Sequence, residues 1–163
     1  MKEKENTGEG IIFKELSCEI LKKGHLLRFQ ARGNSMHPFI KDKDIIKIKP
    51  VEPLKLKAGD VIFYLSGSKR LIAHRLIKKT KGKEDELLFV TKGDSTHGFD
   101  EAIPSSSVLG KVVAVERDEK EISMETRVAG FKNFLLSKTS PFSFILYPLG
   151  RRVKKIGLAI FKK

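Results

Sequence analysis

Short runs of apolar and β-branched residues, separated by turn-forming residues, extend across the middle of this chain. The runs cover residues 26–31, 44–49, 61–65, 70–77, 87–90, 109–116 and 122–126. Proline and glycine break the chain between them, as at Pro50, Pro53 and Gly59. Short strands at this spacing, with turns between them, are typical of an antiparallel β domain. The sequence therefore predicts a mainly-β fold.

Helical patterns flank this predicted sheet on both sides. Residues 11–23 place apolar side chains near helical spacing, and Gly24 follows as a stop signal. Residues 128–136 and 149–161 predict C-terminal helices. We therefore expect three segments along the chain: a flexible N-terminus at 1–9, a folded domain at 10–126, and a basic, apolar helical segment at 127–163.

The formal net charge of +13 is concentrated toward the C-terminus. After Glu125 the chain has nine basic residues and no acidic one. Such asymmetry suggests an anionic partner, although a solvated basic face is the commoner explanation. In residues 142–163 basic and apolar residues interleave, as they do in helices at a membrane interface. We expect an anionic membrane surface as the partner of this segment and expect no nucleic acid. A helix packed on the domain is the alternative.

Several classes of protein lose support from what the sequence lacks. No run of about 18 apolar residues predicts a transmembrane helix, and the charged N-terminus lacks the apolar core of a signal peptide. We therefore expect a cytoplasmic or peripheral membrane location. The single cysteine, Cys18, cannot form an internal disulfide and fits a packed helix position. No CxxC or HExxH pattern occurs, so we expect neither a metal nor a cofactor.

The hexapeptide GNSMHP at residues 33–38 is the first candidate for a reactive site. Gly33 frees the backbone before Ser35, and Pro38 stiffens it afterwards. A serine hydroxyl is a weak nucleophile until a base takes its proton and donors receive the developing oxyanion. Glycine, asparagine and serine are also ordinary turn residues, so a plain turn is the alternative.

Two later features offer a base and an acidic partner for it. His74 lies within an otherwise apolar strand pattern, with Arg75 expected on the opposite face of that strand. Asp94 and Asp100 lie in one glycine-containing loop, and either could orient a histidine. Taken alone, the histidine could be structural and the carboxylates could cap turns.

Together these segments resemble the signal peptidase I superfamily. GNSMHP at 33–38 resembles its serine box, and GDVI at 59–62 resembles the strand-entry box. HRLI at 74–77 resembles its general-base box, and the segment 91–100 resembles its acidic box. The four boxes follow the family's order and spacing across about residues 27–116. One box would be weak evidence, but four in order are a specific signal.

The base position indicates one branch of that superfamily. Bacterial signal peptidases and the related self-cleaving SOS-type repressors carry lysine there, whereas endoplasmic-reticulum-type signal peptidases carry histidine, as this chain does at His74. The resemblance implies coiled antiparallel β-sheets with a shallow apolar groove. It also implies a serine endopeptidase that cleaves a peptide or preprotein after small residues in a leader or signal-like segment. Two features depart from the pattern: Gly33 replaces a serine that helps the oxyanion in many relatives, and the usual transmembrane anchor is not predicted.

The resemblance also implies roles for individual residues. Ser35 is expected to be the nucleophile, with its backbone amide as an oxyanion donor. His74 is expected to be the general base. Asp100 is expected to orient that histidine, and Asp94 to be a structural or supporting residue of the site. Two further residues are expected to border the substrate groove: Met36 and Pro38.

Two other functions stay open. A self-cleaving regulator on the same fold needs a DNA-binding domain and a cleavable Ala-Gly before the serine. The 34 residues before Ser35 leave no room for that domain, and Ala129-Gly130 comes after the serine. A non-enzymatic module that binds anionic lipid or nucleic acid would explain the charge of +13 but not the four ordered boxes.

Overall fold

A computed structural model of the chain describes residues 8–125, with side chains described from residue 11 onward. One α-helix, α1 (Gly8–Lys22), precedes eight β-strands. The strands are β1 (Leu27–Gln30), β2 (Ile45–Lys49), β3 (Val61–Leu65), β4 (Leu71–Lys81), β5 (Leu87–Lys92), β6 (Ile103–Pro104), β7 (Val108–Arg117) and β8 (Lys120–Ser123). The predicted mainly-β class is therefore confirmed. The helices predicted at 128–136 and 149–161 lie outside the described residues.

All eight strands belong to one curled antiparallel sheet. Its order is β1-β2-β7-β3-β4-β5-β6, and β8 also pairs with β7. The long strand β7 pairs with β2 along one edge, while β3 and β8 share its other edge. The pairing shifts register between Lys47 and Ile48 of β2 and between Phe63 and Tyr64 of β3. Such irregularities increase the local twist, which favours a curled sheet over a flat one.

The sheet carries an apolar core on each face. Because side chains alternate along a strand, Phe63 of β3 lies in one core and its neighbour Ile62 in the other. The first core contains Leu21, Leu27, Met36, Ile40, Ile46, Ile48, Val61, Phe63, Val112, Val115 and Met124. The second contains Leu56, Ile62, Tyr64, Leu76, Phe89 and Ile103. Burial on both faces fixes the register of β3, since a slip of one residue would exchange the two faces.

Helix α1 rests on the first core through its C-terminal turn. Leu21 is almost fully buried there. Gly24 has a φ of +85°, and its amide donates a hydrogen bond to the Leu21 carbonyl, so the glycine stop predicted from the sequence is confirmed. Ile12 and Leu16, which share helical spacing, are nevertheless 65% and 52% exposed. The helix therefore packs through a narrow face, which also includes the buried Ser17 and, in addition, Phe13, whose ring centroid lies 5.7 Å from that of Phe29 in β1.

The connection between β1 and β2, residues 31–44, carries Ser35. Its ends are joined by two backbone hydrogen bonds of 2.8 Å. The Ala31 amide donates to the Asp44 carbonyl, and the Lys43 amide donates to the Ala31 carbonyl. These bonds continue the β1–β2 ladder and close the base of the loop, so Ser35 lies in a closed loop.

The buried carboxylate of Asp44 attaches this loop to β7. Arg117 of β7 donates from Nε to Oδ1 at 2.9 Å and from Nη2 to Oδ2 at 2.5 Å, and the Lys41 amide donates to Oδ2 at 2.7 Å. Arg117 also donates to the Phe39 carbonyl at 3.1 Å. The hydrogen bonds from Arg117 outweigh the effect of burial and hold the pKa of Asp44 below its ordinary value. The Ser35 loop is thus tied to the middle of the sheet by a charged pair.

We expect Asp44→Asn to lower the free energy of unfolding by about 1–3 kcal/mol at pH 7, because the variant lacks the charge that Arg117 pairs with. A carboxyl whose pKa is lowered by folding stabilises the fold above its unfolded pKa of about 3.9, and this stabilisation is lost as the pH falls through the folded pKa. The difference between wild type and variant should therefore shrink below about pH 4. Urea unfolding across this pH range measures it.

Asp85→Asn is the matched control, because Asp85 pairs with Lys81 at the surface. Its stability should follow that of the wild type at each pH. An equal loss of stability from Asp44→Asn at all pH values would contradict the assignment of this charge.

Candidate active site

Ser35, His74 and Asp100 form one line of hydrogen-bonded side chains. Ser35 Oγ lies 2.9 Å from His74 Nε2, and His74 Nδ1 lies 2.6 Å from Asp100 Oδ2. The serine comes from the β1–β2 loop, the histidine from β4 and the aspartate from the loop after β5. This is the order of hydroxyl, imidazole and carboxylate that activates a serine nucleophile.

The sheet fixes the position of His74. Its strand, β4, pairs with β3 on one side, where His74 lies opposite Ile62, and with β5 on the other. His74 is only 8% exposed. A rigid strand therefore holds the imidazole, while a loop delivers the serine to it.

The carboxylate of Asp100 is held by more than the imidazole. Thr91 Oγ1 donates to Asp100 Oδ2 at 2.7 Å, and the Asp100 amide donates to the Thr91 carbonyl at 2.9 Å. Tyr64 OH lies 3.4 Å from the same carboxylate oxygen. Burial alone would raise the pKa of Asp100, but the hydrogen bonds from His74, Thr91 and Tyr64 and the attraction of His74 bring it below its ordinary value. The lowered pKa favours the ionised carboxylate of Asp100, which accepts these hydrogen bonds.

Tyr64 and Thr91 extend this line on the side away from the serine. Tyr64 OH lies 3.1 Å from Thr91 Oγ1, and both residues are almost fully buried. Burial raises the pKa of Tyr64 to about 12, so its hydroxyl keeps its proton as a donor. When Thr91 donates to Asp100, Tyr64 can donate to Thr91, which satisfies each hydroxyl proton. Sequence reasoning missed both residues.

Asp94 belongs to a different contact. Its two carboxylate oxygens each accept a hydrogen bond of 2.7 Å from the guanidinium of Arg75, and Arg75 also donates to the Gly59 carbonyl at 2.7 Å. Arg75 is fully buried and Asp94 is 7% exposed. The possibility that Asp94 orients His74 is therefore wrong, because its oxygens bind Arg75 on the other side of β4. The structural or supporting role that the resemblance implies for Asp94 fits this geometry.

Lys92 places a buried cation near both carboxylates. Its Nζ lies 3.4 Å from the Gly93 carbonyl. Burial lowers the pKa of Lys92, and the attraction of Asp94 and Asp100 opposes that shift. The end of β5 thus carries a buried basic residue that sequence reasoning did not assign.

Residues 93–100, the acidic loop that follows β5, also hold the β1–β2 loop in place. The Ser95 amide donates to the Ser35 carbonyl at 2.9 Å, and Ser95 Oγ donates to the Asn34 carbonyl at 2.6 Å. A Cβ on Gly93 would lie 2.7 Å from the Ser35 carbonyl oxygen and 3.1 Å from Ser35 Cβ. Only glycine therefore allows the two loops to approach this closely.

A groove of about 350 Å³ opens beside Ser35 and His74. Its apolar walls include Phe29, Met36, Ile40, Ile46, Phe63 and Leu71. The expectation that Met36 borders this groove agrees with its position, where it is 5% exposed. The same expectation for Pro38 is corrected, because Pro38 is exposed and lies outside the lining. The amides of Phe39 and Ile40 donate to the Met36 carbonyl, and this turn leaves Pro38 on the outside.

Among residues 8–125, no cluster of histidine, cysteine and carboxylate side chains is arranged to hold a metal ion. In the same part of the chain, no helix combines the length and the apolar character needed to span a bilayer. Comparisons of the chain with family models, with curated proteins and with solved structures give no match. A functional interpretation must therefore be argued from the residues of the site.

The two aspartates should differ in their effect on stability. We expect Asp94→Asn to lower the free energy of unfolding by about 3 kcal/mol or more, because it leaves the buried Arg75 without a counter-charge. Asp100→Asn should cost only about 1 kcal/mol, since the amide oxygen can still accept hydrogen bonds and the side chain is partly exposed. Urea unfolding of both variants measures the difference. Equal losses, or a larger loss from Asp100→Asn, would show that the roles are assigned wrongly.

Proposed function

We propose that this protein is a serine endopeptidase of the signal peptidase I superfamily, in the branch with a Ser-His-Asp site. The observation that carries the proposal is the hydrogen-bonded line of Ser35, His74 and Asp100. Each of the three comes from a different one of the boxes that resemble this superfamily. Residues that far apart in the chain would not form this line by local turn chemistry alone. The mainly-β, curled antiparallel sheet is compatible with the coiled sheets expected of this superfamily.

The chemistry follows from the hydrogen bonds. In the neutral tautomer with a proton on Nδ1, His74 donates to Asp100 and accepts the Ser35 hydroxyl proton at Nε2. Ser35 Oγ then attacks the peptide carbonyl, and the imidazolium formed is stabilised by the charged Asp100. The same proton is passed to the leaving amine. Water next attacks the acyl-enzyme, with His74 again as the base.

The oxyanion needs a donor near Ser35. Within residues 8–125, no backbone carbonyl accepts a hydrogen bond from the Ser35 amide, so this N–H is available to a developing oxyanion. Gly33, where many relatives carry a second donor, has no side chain to offer and adopts a φ of +86°. The amide of Ser35 is therefore the donor that we assign.

The substrate is proposed to be a peptide or preprotein segment with small residues before the cleaved bond. The support is the largely apolar groove beside Ser35, whose lining includes Ala31 and Ala73. Residues 142–163, proposed to contact an anionic membrane surface, lie outside the described residues. They would keep the enzyme close to membrane-associated leader segments.

We expect Ser35→Ala and His74→Ala each to lower kcat/KM by about 10³-fold or more, because either change interrupts proton transfer. The assay is cleavage of a peptide library with small residues at the cleavage position, followed by mass spectrometry of the products. Ser106→Ala and His25→Ala are the matched controls, since both residues are exposed and lie outside the site. Full activity of either Ser35→Ala or His74→Ala would contradict the proposed Ser-His-Asp triad.

The same samples separate the two alternatives. New fragments of the protein itself, formed by the wild type and not by Ser35→Ala, would indicate a self-cleaving regulator. No Ser35-dependent cleavage of any peptide or of the chain, with the fold intact by circular dichroism, would favour the non-enzymatic binding module.

Asp100→Asn should lower kcat/KM by about 10³- to 10⁴-fold with little change in fold. An asparagine can present its N–H₂ to His74 Nδ1, which favours the tautomer whose Nε2 carries a proton and cannot accept another. Kinetics on the best library peptide measure the effect, with Asp85→Asn as the control for an exposed aspartate. Activity within tenfold of wild type would exclude Asp100 as the orienting residue.

A further inference from the structure

The groove beside Ser35 is basic as well as apolar, because two arginines line it. We propose that it recognises a peptide with an acidic side chain three or four residues from the cleaved bond, and that Arg32 and Arg70 bind this side chain. This inference rests on the proposed peptidase function and adds a substrate class to it.

The pairing of the arginines sets these two apart. Residues 8–125 contain five arginines. Three of them bind a carboxylate, in the pairs Arg28–Glu116, Arg75–Asp94 and Arg117–Asp44. The remaining two, Arg32 and Arg70, form no ion pair with the described residues, and both line the groove. The two arginines without an ion pair among the described residues therefore both border the groove that Ser35 also lines.

The local contacts leave both guanidinium groups exposed and available. Arg32 makes no side-chain hydrogen bond with the described residues, and the nearby Asp42 carboxylate accepts from the Gly33 amide at 2.8 Å instead. Arg70 uses only Nε, which donates to Ser68 Oγ at 3.2 Å. Among the described residues, no aspartate or glutamate lines the groove. An anionic ligand group would thus meet two cations in the groove, while the Asp42 carboxylate lies outside its lining.

The position of the arginines gives the distance from the cleaved bond. Arg70 directly precedes β4, four residues before His74, and Arg32 lies three residues before Ser35. The distance is taken from Arg70, because four residues of extended strand span roughly 13 Å, at about 3.3 Å per residue, whereas the chain from Arg32 to Ser35 turns at Gly33, which has a φ of +86°. An extended peptide in the groove, with its cleaved bond at Ser35, would bring its third or fourth residue near these guanidinium groups. A carboxylate there can form charge-assisted hydrogen bonds with arginine.

A lipid phosphate is the other anionic group that arginines bind well. The groove favours the peptide, because the same lining residues include Ser35 and His74, between which the reacting carbonyl must enter. The ligand that occupies this groove during reaction is the substrate chain.

The test uses peptide pairs that differ only by Glu or Gln, with the exchange placed in turn at each of four positions on either side of the cleaved bond. A further pair carries it far from that bond, as a control for general attraction to a basic protein. For wild type, we expect Glu at the third or fourth position on one side of the bond to raise kcat/KM about fivefold or more, as for a paired charge of about 1 kcal/mol. A preference confined to the first or second position would overturn the proposed placement. The preference should weaken at high salt.

Variants assign that preference to the two arginines. The Glu to Gln ratio should fall toward one in the double variant Arg32→Gln, Arg70→Gln. It should be unchanged in Lys69→Asn, because Lys69 is an exposed cation beside Arg70 that does not line the groove. Arg70→Glu should instead prefer a Lys peptide at that position. Circular dichroism checks that each variant is folded.

The outcomes separate this inference from the peptidase proposal. Ser35-dependent cleavage with a ratio of one, or a ratio that the arginine variants do not change, would overturn the inference and leave the peptidase. Loss of binding to phosphatidylglycerol vesicles in those variants, with the Glu to Gln ratio unchanged, would indicate a lipid phosphate site instead.

If wild type cleaves nothing, the peptidase proposal fails. Fluorescence anisotropy of the labelled Glu and Gln peptides with Ser35→Ala then decides the inference: Glu-dependent binding that needs both arginines supports it, and equal binding overturns it.

Discussion

The buried pair of Arg75 and Asp94 is the contact on which the arrangement of this site depends. Arg75 leaves β4 on one face, so its neighbour His74 must leave on the other. By binding Asp94 and the Gly59 carbonyl, Arg75 ties β4 to the loop after β5 and to the turn before β3. A buried cation without its partner is costly, so this geometry is strongly preferred. Arg75 therefore fixes β4, and with it His74, from the face of the strand opposite the imidazole.

The acidic loop connects that structural pair to the reactive groups. Asp94 lies between Gly93, which approaches the Ser35 backbone, and Ser95, which donates to it. The same loop ends at Asp100, which binds His74. Fixing Asp94 therefore positions the serine and the carboxylate together. The acidic loop thus positions both Ser35 and Asp100, the two ends of the hydrogen-bonded line, while β4 positions His74 at its centre.

The sequence predicted the parts of this site that follow local patterns. The strands with clear turns between them were predicted, whereas β6, with only Ile103 and Pro104, is too short to show any periodicity. Ser35, His74 and Asp100 were expected from motif resemblance, and the choice between the two aspartates was open because only the fold shows which carboxylate lies beside which cation. Tyr64 and Thr91 were missed since a polar residue inside a strand shows its partner only when the strands are paired.

Two kinds of positive charge would act on different steps of the proposed peptide binding. The overall charge of +13 attracts any anionic peptide or membrane, which raises association rates but does not distinguish one peptide position from another. A guanidinium that lines the groove beside Ser35 can instead favour one register of the bound chain over its neighbours. Apolar walls discriminate weakly between small side chains, so they would define the register of a bound peptide poorly on their own. Arg32 and Arg70 would therefore select the register of the bound peptide, which the apolar walls do not define. The net charge of +13 would raise the rate at which the protein and an anionic peptide meet.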